Sequence, residues 1–312
     1  MKSNPKKNKT KIIFFGTHKF AATILEALCK EPTIEVALVV TQPDRPAGRE
    51  QETQKPPVKM LAEKCGIQIE QPQSLKTYNL KPKTYHLGIT AQYGGLIPEH
   101  ILDAPTHGIL NVHTSLLPQY RGASPIQTAI MNGNTETGVT IMKMDEGLDT
   151  GPILSQKKLL IGPDETFPAV EAKLAQLGAK VLLDAIPKYL NGTLKPQPQD
   201  ETKATACKQL TRDDGRIDWH RSASDIYNQY RGLTPWPGVW TIWQNKRLKL
   251  LRLKPAEISL PPGQAKTDNG RCLIGAGQGA LEALDLQLEG KKPMTAEIFL
   301  LGHKEFATSI LE

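Results

Sequence analysis

The chain has 312 residues, of which 39% are hydrophobic and 23% are charged, and its formal net charge is +7. The length favours two domains, and the composition is that of an ordinary globular protein. We expect no membrane-spanning helix, because no run of about 18 apolar residues occurs. We also expect no signal peptide, because the apolar run behind the basic N-terminus is too short. These features favour a cytoplasmic protein.

Strand and helix patterns alternate along the first part of the chain. Apolar runs predict strands at residues 11–15, 36–41, 67–69, 86–91, 110–113 and 139–144. Helical periodicity predicts helices at residues 20–30, 58–65, 124–131 and 167–190. Ser124 is the predicted N-cap of the third helix. Because strands that alternate with helices form mostly parallel sheets with helices on both faces, we expect a Rossmann-like α/β fold.

The pattern changes after residue 190. Residues 191–200 are polar and contain prolines, which is typical of a linker. Beyond them we predict a helix at residues 223–231 and short strands at residues 240–243, 248–253, 271–274 and 281–288. Such strands, separated by turns with glycine and proline, predict a small OB-like β-barrel. The predicted domains are residues 1–190, a linker at residues 191–206, and a C-terminal barrel at residues 207–312.

The usual metal and nucleotide motifs are missing from the sequence. Cys29, Cys65, Cys207 and Cys272 are widely separated and form no C-x-x-C pair, which argues against a zinc site of the usual spacing. Four scattered cysteines favour a reducing compartment over a disulfide scaffold. Neither G-x-G-x-x-G nor G-x-x-x-x-G-K-[ST] occurs, so nothing supports a nicotinamide cofactor or ATP. We expect no metal cofactor.

Residues 111–151 carry most of the functional information. Asn111 and His113 stand two positions apart at the end of a predicted strand, where their side chains share one face. Parallel sheets bind ligands at such strand ends. Asp149 lies in a later loop and can reach them only through folding. An amide, an imidazole and a carboxylate together can stabilise a developing oxyanion and move a proton; as isolated residues, they would more often be turn and cap residues.

Two further motifs surround these residues. SLLPQYRG covers residues 115–122, and DEGLDTG covers residues 145–151. Together with the N-x-H motif of residues 111–113, they resemble the catalytic segment of the folate-dependent formyltransferases. The resemblance implies that 10-formyltetrahydrofolate is the co-substrate, and that the amide, imidazole and carboxylate described above are the catalytic groups.

The same resemblance implies a pocket for the pterin ring of the folate. QYGGLIP at residues 92–98 resembles a segment that lines this pocket in the family. Its glycines would let backbone groups approach a flat ring closely, because glycine lacks a Cβ. The ordinary alternative is a plain strand-to-loop turn. The implied folate-binding residues are Tyr93, Gly94, Gly95, Ser115, Leu116, Leu117, Pro118, Met144, Asp145 and Gly147.

A second group of motifs implies a nucleic-acid partner. TQPDRPAGR at residues 41–49 resembles a loop of those family members that formylate methionyl-tRNA, in which it reaches the acceptor end of the initiator tRNA. Between Asp225 and Glu257 the chain has basic and aromatic residues but no acid. The alternative for this interval is a solvated face of the barrel. The implied tRNA-binding residues are Arg45, Arg49, Lys246, Arg247 and Lys249.

These resemblances lead us to expect transfer of the formyl group of 10-formyltetrahydrofolate to the α-amine of methionyl-initiator tRNA, for translation initiation. We expect the enzyme to be a monomer. An amino sugar or a purine precursor is the alternative acceptor. Two further alternatives are a tRNA-binding module with a vestigial folate site, and hydrolysis of formyl-folate by water. The loop at residues 41–49 favours the first interpretation, and a turnover assay separates an enzyme from a binding module.

The chain departs from the family pattern directly after Arg49. The family usually continues with Gly-Lys-Lys, whereas this chain has Glu50-Gln51-Glu52. Two acids in place of two bases should weaken contact with a polyanion. We predict that changing Glu50 and Glu52 to lysine strengthens tRNA binding and steepens its salt dependence by about one phosphate contact or more. Affinity measured across a salt series checks this, and an unchanged affinity would show that the loop is not the contact.

Overall fold

The structure, a computed structural model, describes residues 9–47 and 52–312 and divides into two units. The first unit comprises the described residues up to Gly122, together with Thr137–Leu159 and Glu171–Ala206. The second unit comprises Ala123–Glu136, Leu160–Val170 and Cys207–Glu312. Two segments that precede residue 171 therefore group with the C-terminal residues. The predicted boundaries at residues 190 and 207 stay predictions.

The first 190 residues contain ten strands and five helices within the described part. They are β1 (Thr10–Gly16), α1 (Lys19–Lys30), β2 (Ile34–Val40), β3 (Arg45–Ala47), β4 (Glu52–Gln54), α2 (Pro57–Lys64), β5 (Gln68–Glu70), β6 (Leu87–Ala91), α3 (Glu99–Leu102), β7 (Ile109–His113), β8 (Arg121–Gly122), α4 (Pro125–Met131), β9 (Glu136–Lys143), β10 (Ile153–Leu160) and α5 (Phe167–Leu190). The predictions agree with ten of these elements: β1, β2, β5, β6, β7, β9, α1, α2, α4 and α5. Strands β3, β4, β8 and β10 and helix α3 were not predicted.

The main sheet of the first unit has the strand order β10-β9-β7-β6-β1-β2-β5. Strand β1 pairs in parallel with β2 and β6, and β6 pairs in parallel with β7. Strand β9 runs antiparallel to β7. This confirms the predicted mostly parallel α/β sheet. The chain leaves β1 for β2 on one side and later returns to β6 on the other, and such a reversal of strand order marks the ligand-binding edge of open sheets.

Burial explains why β1 lies in the middle of this sheet. All four side chains of residues 12–15 are fully buried, as expected for a parallel strand covered on both faces. Helix α1 follows directly and buries the predicted face of Phe20, Ile24 and Leu28. Because β1 is buried on both faces, it lies in the middle of the sheet. Strand β6 pairs with it in parallel, so the carboxyl ends of both strands lie at the same edge of the sheet.

Ser124 is the N-cap residue of helix α4 and the helix begins at Pro125, both as predicted, but the Ser124 side chain makes no capping hydrogen bond. Its hydroxyl instead donates to the backbone carbonyl of Lys208. Ser124 is buried, and a buried hydroxyl needs a partner. A carbonyl from a distant part of the chain supplies that partner, which sequence periodicity does not reveal.

The remaining elements are β11 (Ala206–Cys207), α6 (Ala223–Leu233), β12 (Val239–Trp243), β13 (Lys246–Ala256), β14 (Ala265–Asp268), β15 (Arg271–Gly275), β16 (Ala280–Leu288), β17 (Met294–Thr295) and α7 (Ala296–Gly302). The second unit's sheet has the order β12-β13-β16-β15-β14, and β17 also pairs with β16. Its strand pairs are antiparallel. This sheet is consistent with the predicted small barrel.

Aromatic packing forms the centre of the second unit. The ring of Trp243 lies 5.4 Å from that of Phe299 and 5.3 Å from that of Phe306, both edge to face.

Strands β12 and β13 are joined by Gln244 and Asn245, whose φ angles are 49° and 59°. Positive φ at both central residues is typical of a type I′ hairpin turn, whose twist matches that of the flanking strands.

The segment predicted as a linker is attached to the first unit along part of its length. The backbone N–H of Gln197 donates to the carbonyl of Ile153 over 2.8 Å, and the N–H of Ile153 donates back over 2.7 Å. A short 3₁₀ turn follows at Glu201–Lys203. Residues 191–206 therefore include a stretch that pairs with the start of β10.

Across residues 9–47 and 52–312, no helix has the length and apolarity needed to cross a membrane.

Candidate active site

Strand β7 presents the amide and the imidazole together. Asn111 and His113 point to the same face, because strand side chains alternate, and Val112 between them is buried on the opposite face. The His113 side chain is 6% exposed, and that of Asn111 is half-buried. β7 is held between β6 and β9, so both side chains project from a strand paired on each edge.

Asp149 reaches both of these side chains. The Asn111 amide Nδ2 donates to Asp149 Oδ1 over 3.4 Å, and His113 Nδ1 lies 3.6 Å from the same oxygen. The second carboxylate oxygen, Oδ2, accepts the backbone N–H of Gly122 over 2.9 Å. Folding therefore brings together three predicted residues that span 38 positions. Their catalytic roles remain predictions.

His113 has an oxygen atom beside each of its ring nitrogens. Nε2 lies 3.1 Å from the backbone carbonyl oxygen of Tyr120, and Nδ1 faces Asp149. A carbonyl oxygen only accepts, so this contact is a hydrogen bond when Nε2 carries a proton. The surroundings thus set the orientation of the ring, with one oxygen atom facing each ring nitrogen.

The loop that bears Asp149 is shaped by its own motif residues. Asp145 Oδ1 accepts the N–H of Gly147 over 3.1 Å and the hydroxyl of Thr150 over 2.8 Å. A Cβ at Gly147 would overlap the Thr150 hydroxyl, and one at Gly151 would overlap the Lys143 carbonyl. Within this tight loop Asp149 has φ 55°, a left-handed conformation that aspartate tolerates better than most residues. The D-x-G-x-D-T-G pattern therefore describes a loop that turns one carboxylate toward β7.

A buried threonine holds the loop of residues 115–118. The Thr140 hydroxyl donates to the Ser115 carbonyl over 2.7 Å and accepts the N–H of Leu117 over 3.1 Å. The Gln156 amide donates to Thr140 Oγ1 over 2.9 Å and to the Leu117 carbonyl over 2.7 Å. No motif in the sequence singled out Thr140 or Gln156. Ser115 and Leu117 are themselves buried, and their predicted contact with folate stays a prediction.

The other predicted folate-binding residues follow the ends of β6, β7 and β9. Tyr93 is buried against Phe15, with ring centroids 5.9 Å apart, and burial raises the pKa of its phenol. Its carbonyl accepts the Thr17 hydroxyl over 2.7 Å, which ties the loop after β6 to the turn after β1. Gly94 has φ 78°, and Met144 donates its N–H to the carbonyl of the first β7 residue over 2.8 Å.

Gln199 contacts the loop that bears Asp149, and the sequence analysis did not predict this contact. Its amide Nε2 donates to the carbonyl oxygens of Asp149 and Gly151, over 2.8 Å in each case. Its Oε1 accepts from the Arg121 guanidinium, over 3.1 Å from Nε and 2.8 Å from NH2. Residue 199 belongs to the segment predicted as a linker, whose polar, proline-bearing composition gave no reason to expect such contacts.

The predicted tRNA-binding residues are divided between the two units. Exposed Arg45, in the first unit, donates to the Gln42 side chain over 3.3 Å. Arg49, Glu50 and Gln51 lie outside the described residues. The other three lie on β13 in the second unit: Lys246, Arg247 and Lys249.

Within the second unit, Arg247 and Lys249 are on one face of β13. The Arg247 guanidinium lies 3.9 Å from the centre of the Trp240 ring, and Lys249 is opposite Trp240 in the strand pair. The remainder of the basic interval is not one surface. Arg231 is 5% exposed and donates to the carbonyls of Gly162 and Glu165, over 3.2 and 3.1 Å. Trp236, by contrast, is 54% exposed.

Metal ligands are not clustered in the part of the chain that the structure covers. Across residues 9–47 and 52–312, no group of three or more His, Cys, Asp or Glu side chains is placed to hold a metal ion. The groups around Asp149 are an amide, an imidazole and backbone N–H and carbonyl groups. Such an arrangement suits hydrogen bonding to a developing oxyanion and proton transfer.

Comparison with known families covers most of the chain. Residues 10–186 match the formyl transferase family, and residues 209–304 match the formyl transferase C-terminal domain. The methionyl-tRNA formyltransferase of Acidobacterium capsulatum is 44% identical over 301 residues, which cover 94% of this chain and 96% of the relative. That of Myxococcus xanthus is 43% identical over 302 residues, which cover 95% and 96%.

Solved structures show the same fold at lower identity. An N-formyltransferase from Helicobacter canadensis, in complex with folinic acid and dTDP-3-aminofucose, superposes with a TM-score of 0.67 at 18% identity. The match covers 88% of this chain and 98% of that one. At this identity the likeness concerns the fold alone.

The Thr140 network leads to a stability prediction with a control on the same strand. Thr140→Val leaves the Leu117 N–H and the Gln156 amide without this partner, so we expect a loss of about 1–3 kcal/mol in the free energy of unfolding. Thr137, also buried on β9, has a hydroxyl with no hydrogen-bond partner in the described structure. Thr137→Val should therefore be neutral or stabilising. Urea unfolding of both variants checks this, and equal losses would contradict it.

Proposed function

The chain belongs to the methionyl-tRNA formyltransferase family, and we propose on that basis that it transfers the formyl group of 10-formyltetrahydrofolate to the α-amine of methionyl-initiator tRNA. The product, N-formylmethionyl-tRNA, serves translation initiation. The observation that carries this proposal is the contact of one carboxylate, from Asp149, with both Asn111 and His113. Relatives of this name at 44% and 43% identity support the choice of acceptor.

The geometry suits formyl transfer to an amine. The amine attacks the formyl carbon of the bound folate, which places negative charge on the formyl oxygen. When this intermediate collapses, the bond between the formyl carbon and the folate nitrogen breaks, and that nitrogen takes up a proton as tetrahydrofolate leaves. We assign Asn111 and His113 as the donors that stabilise the charge, because preorganised donors lower such a barrier; for His113 the donor is Nε2, whose contact with the Tyr120 carbonyl the formyl oxygen would share or replace. Asp149 orients both donors through one oxygen and takes up the proton lost by the attacking amine, directly or through water. The Gly122 N–H keeps the other oxygen in place.

The binding surfaces follow from the same proposal. The catalytic domain would comprise residues 1–190, joined by a linker at residues 191–206 to a tRNA-binding barrel at residues 207–312. The loops after β6 and β7 and the loop before Asp149 would bind the folate. Arg45 and the β13 residues would bind tRNA phosphates, because basic side chains supply the salt-dependent part of nucleic-acid affinity. We propose that the enzyme acts as a monomer in the cytoplasm and uses no metal.

Formyl transfer to methionyl-initiator tRNA tests the proposed function. Uncharged initiator tRNA and methionyl-elongator tRNA are the controls. Formylation of the charged initiator alone supports the donor, the acceptor and the discrimination together. If the protein binds the folate but formylates no tRNA, the acceptor is wrong, and amino sugars become the next acceptors to assay, since the Helicobacter canadensis structure holds an aminosugar nucleotide.

Asp149→Asn should lower kcat by about 10² or more, the scale of a lost acid–base group. The amide cannot accept a proton, and its nitrogen would face the Gly122 N–H or the Asn111 amide. Asp184→Asn is the matched control, because this exposed acid pairs with Lys188 on the surface of α5. Steady-state kinetics of both variants, with folate affinity measured separately, checks the prediction. Near-wild-type kcat in Asp149→Asn would reject a catalytic role for this carboxylate.

A further inference from the structure

Gln199 connects Arg121 to the backbone of the loop that carries Asp149. We propose that Gln199 is a positioning residue, which holds the Asp149 carboxylate against Asn111 and His113. The inference rests on the proposed function, since it takes Asp149 as the catalytic carboxylate. Gln199 itself contacts only carbonyl oxygens and a guanidinium in the hydrogen bonds described above, so it acts through Asp149 and not on the reacting atoms.

The neighbours of Gln199 determine which way its amide points. The carbonyls of Asp149 and Gly151 only accept, so they require the NH2 group, and the Arg121 guanidinium only donates, so it requires the oxygen. Both amide hydrogens and the amide oxygen therefore have partners. An amide satisfied on both sides has one orientation, and it joins its partners at fixed distances.

The residue that Gln199 holds has an uncommon backbone conformation. Asp149 has φ 55°. The direction in which its side chain points depends on the backbone around it, and the backbone carbonyls of Asp149 and Gly151 both accept hydrogen bonds from Gln199. A left-handed non-glycine residue persists where surrounding contacts determine it. Gln199 supplies two of those contacts, from outside the loop.

Arg121 and the residue after it hold Asp149 in two ways, through its main chain and through its carboxylate. The Arg121 side chain bonds Gln199, and the backbone N–H of the next residue, Gly122, bonds Asp149 Oδ2. The Arg121 side chain is only 11% exposed. The backbone N–H of Arg121 donates to the Thr205 carbonyl over 2.8 Å. The bond to Glu201 raises the pKa of Arg121. Main chain and carboxylate of Asp149 are thus held by one short segment, directly at Gly122 and through Gln199.

The test compares four single variants in the formyl-transfer assay. Gln199→Glu keeps an oxygen for Arg121 but removes both N–H donors to the loop, and Gln199→Ala removes everything. We expect both to lower kcat about tenfold to a hundredfold, the scale of a small misplacement of a catalytic group, with KM for folate and tRNA within about twofold. Gln197→Ala is the matched control, because its exposed amide donates to the Lys195 carbonyl, and it should leave kcat unchanged. Gln199→Asn, which keeps an amide one methylene shorter, should recover part of the loss.

A double-mutant cycle separates positioning from general damage. If Gln199 acts through Asp149, adding Gln199→Ala to Asp149→Asn should cost less than about twofold further in kcat, because the group being positioned is already lost. A defect unrelated to Asp149 would multiply with that variant. Losses that multiply, or wild-type kcat in Gln199→Glu, would overturn the proposal.

A spectroscopic measurement keeps this inference separate from the proposed function. The ring ¹⁵N signals of His113, assigned by their loss in His113→Gln, should move in Gln199→Ala toward their positions in Asp149→Asn and stay in place in Gln197→Ala. If the wild-type protein formylates no tRNA, the proposed function fails while this comparison still decides the contact. Unmoved His113 signals in Gln199→Ala would overturn the positioning role whatever the acceptor.

Discussion

The contact of the Asp149 carboxylate with β7 is the interaction on which the site depends. One carboxylate oxygen faces both the Asn111 amide and the His113 imidazole, and the other accepts a backbone N–H. The bonds from the Asn111 amide and the Gly122 N–H are hydrogen bonds to a carboxylate, which are directional, and the His113 ring lies against the same oxygen as the amide. One carboxylate therefore orients both β7 side chains. The parallel sheet supplies the fixed frame, because β7 is paired on both edges and its alternation puts amide and imidazole on one face.

Polar groups buried around this contact are matched with partners by residues that do not themselves face it. Thr140 and Gln156 satisfy buried backbone groups of the loop after β7. In the more exposed loop of Asp149, the Asp145 carboxylate accepts the Gly147 N–H and the Thr150 hydroxyl. An unsatisfied buried polar group costs about as much as a lost hydrogen bond, so such networks favour one loop conformation. The geometry of the site therefore depends on its surroundings as much as on its catalytic side chains.

Apolar runs and periodicity predicted six of the seven strands of the main sheet, whereas the sequence did not reveal the long-range polar contacts. The apolar run at residues 12–15 predicted β1, and spacing alone placed Asn111 and His113 on one face. The resemblance, and not the spacing, singled out Asp149 as their partner. Strand β10 was missed because only its second residue is buried, and its sequence lacks the apolar alternation of a half-buried strand. Gln199 was missed because its partners are backbone carbonyls some fifty positions away, which no local pattern encodes.

The aromatic packing of the second unit has an optical consequence. The chain has 4 tryptophans, and all of them, Trp219, Trp236, Trp240 and Trp243, lie in that unit. Three are buried and one is exposed between prolines. Intrinsic indole emission therefore reports on the second unit and not on the unit that holds Asp149. An indole introduced on the surface of the first unit would add a signal from that unit, which is read as the difference from the unaltered protein.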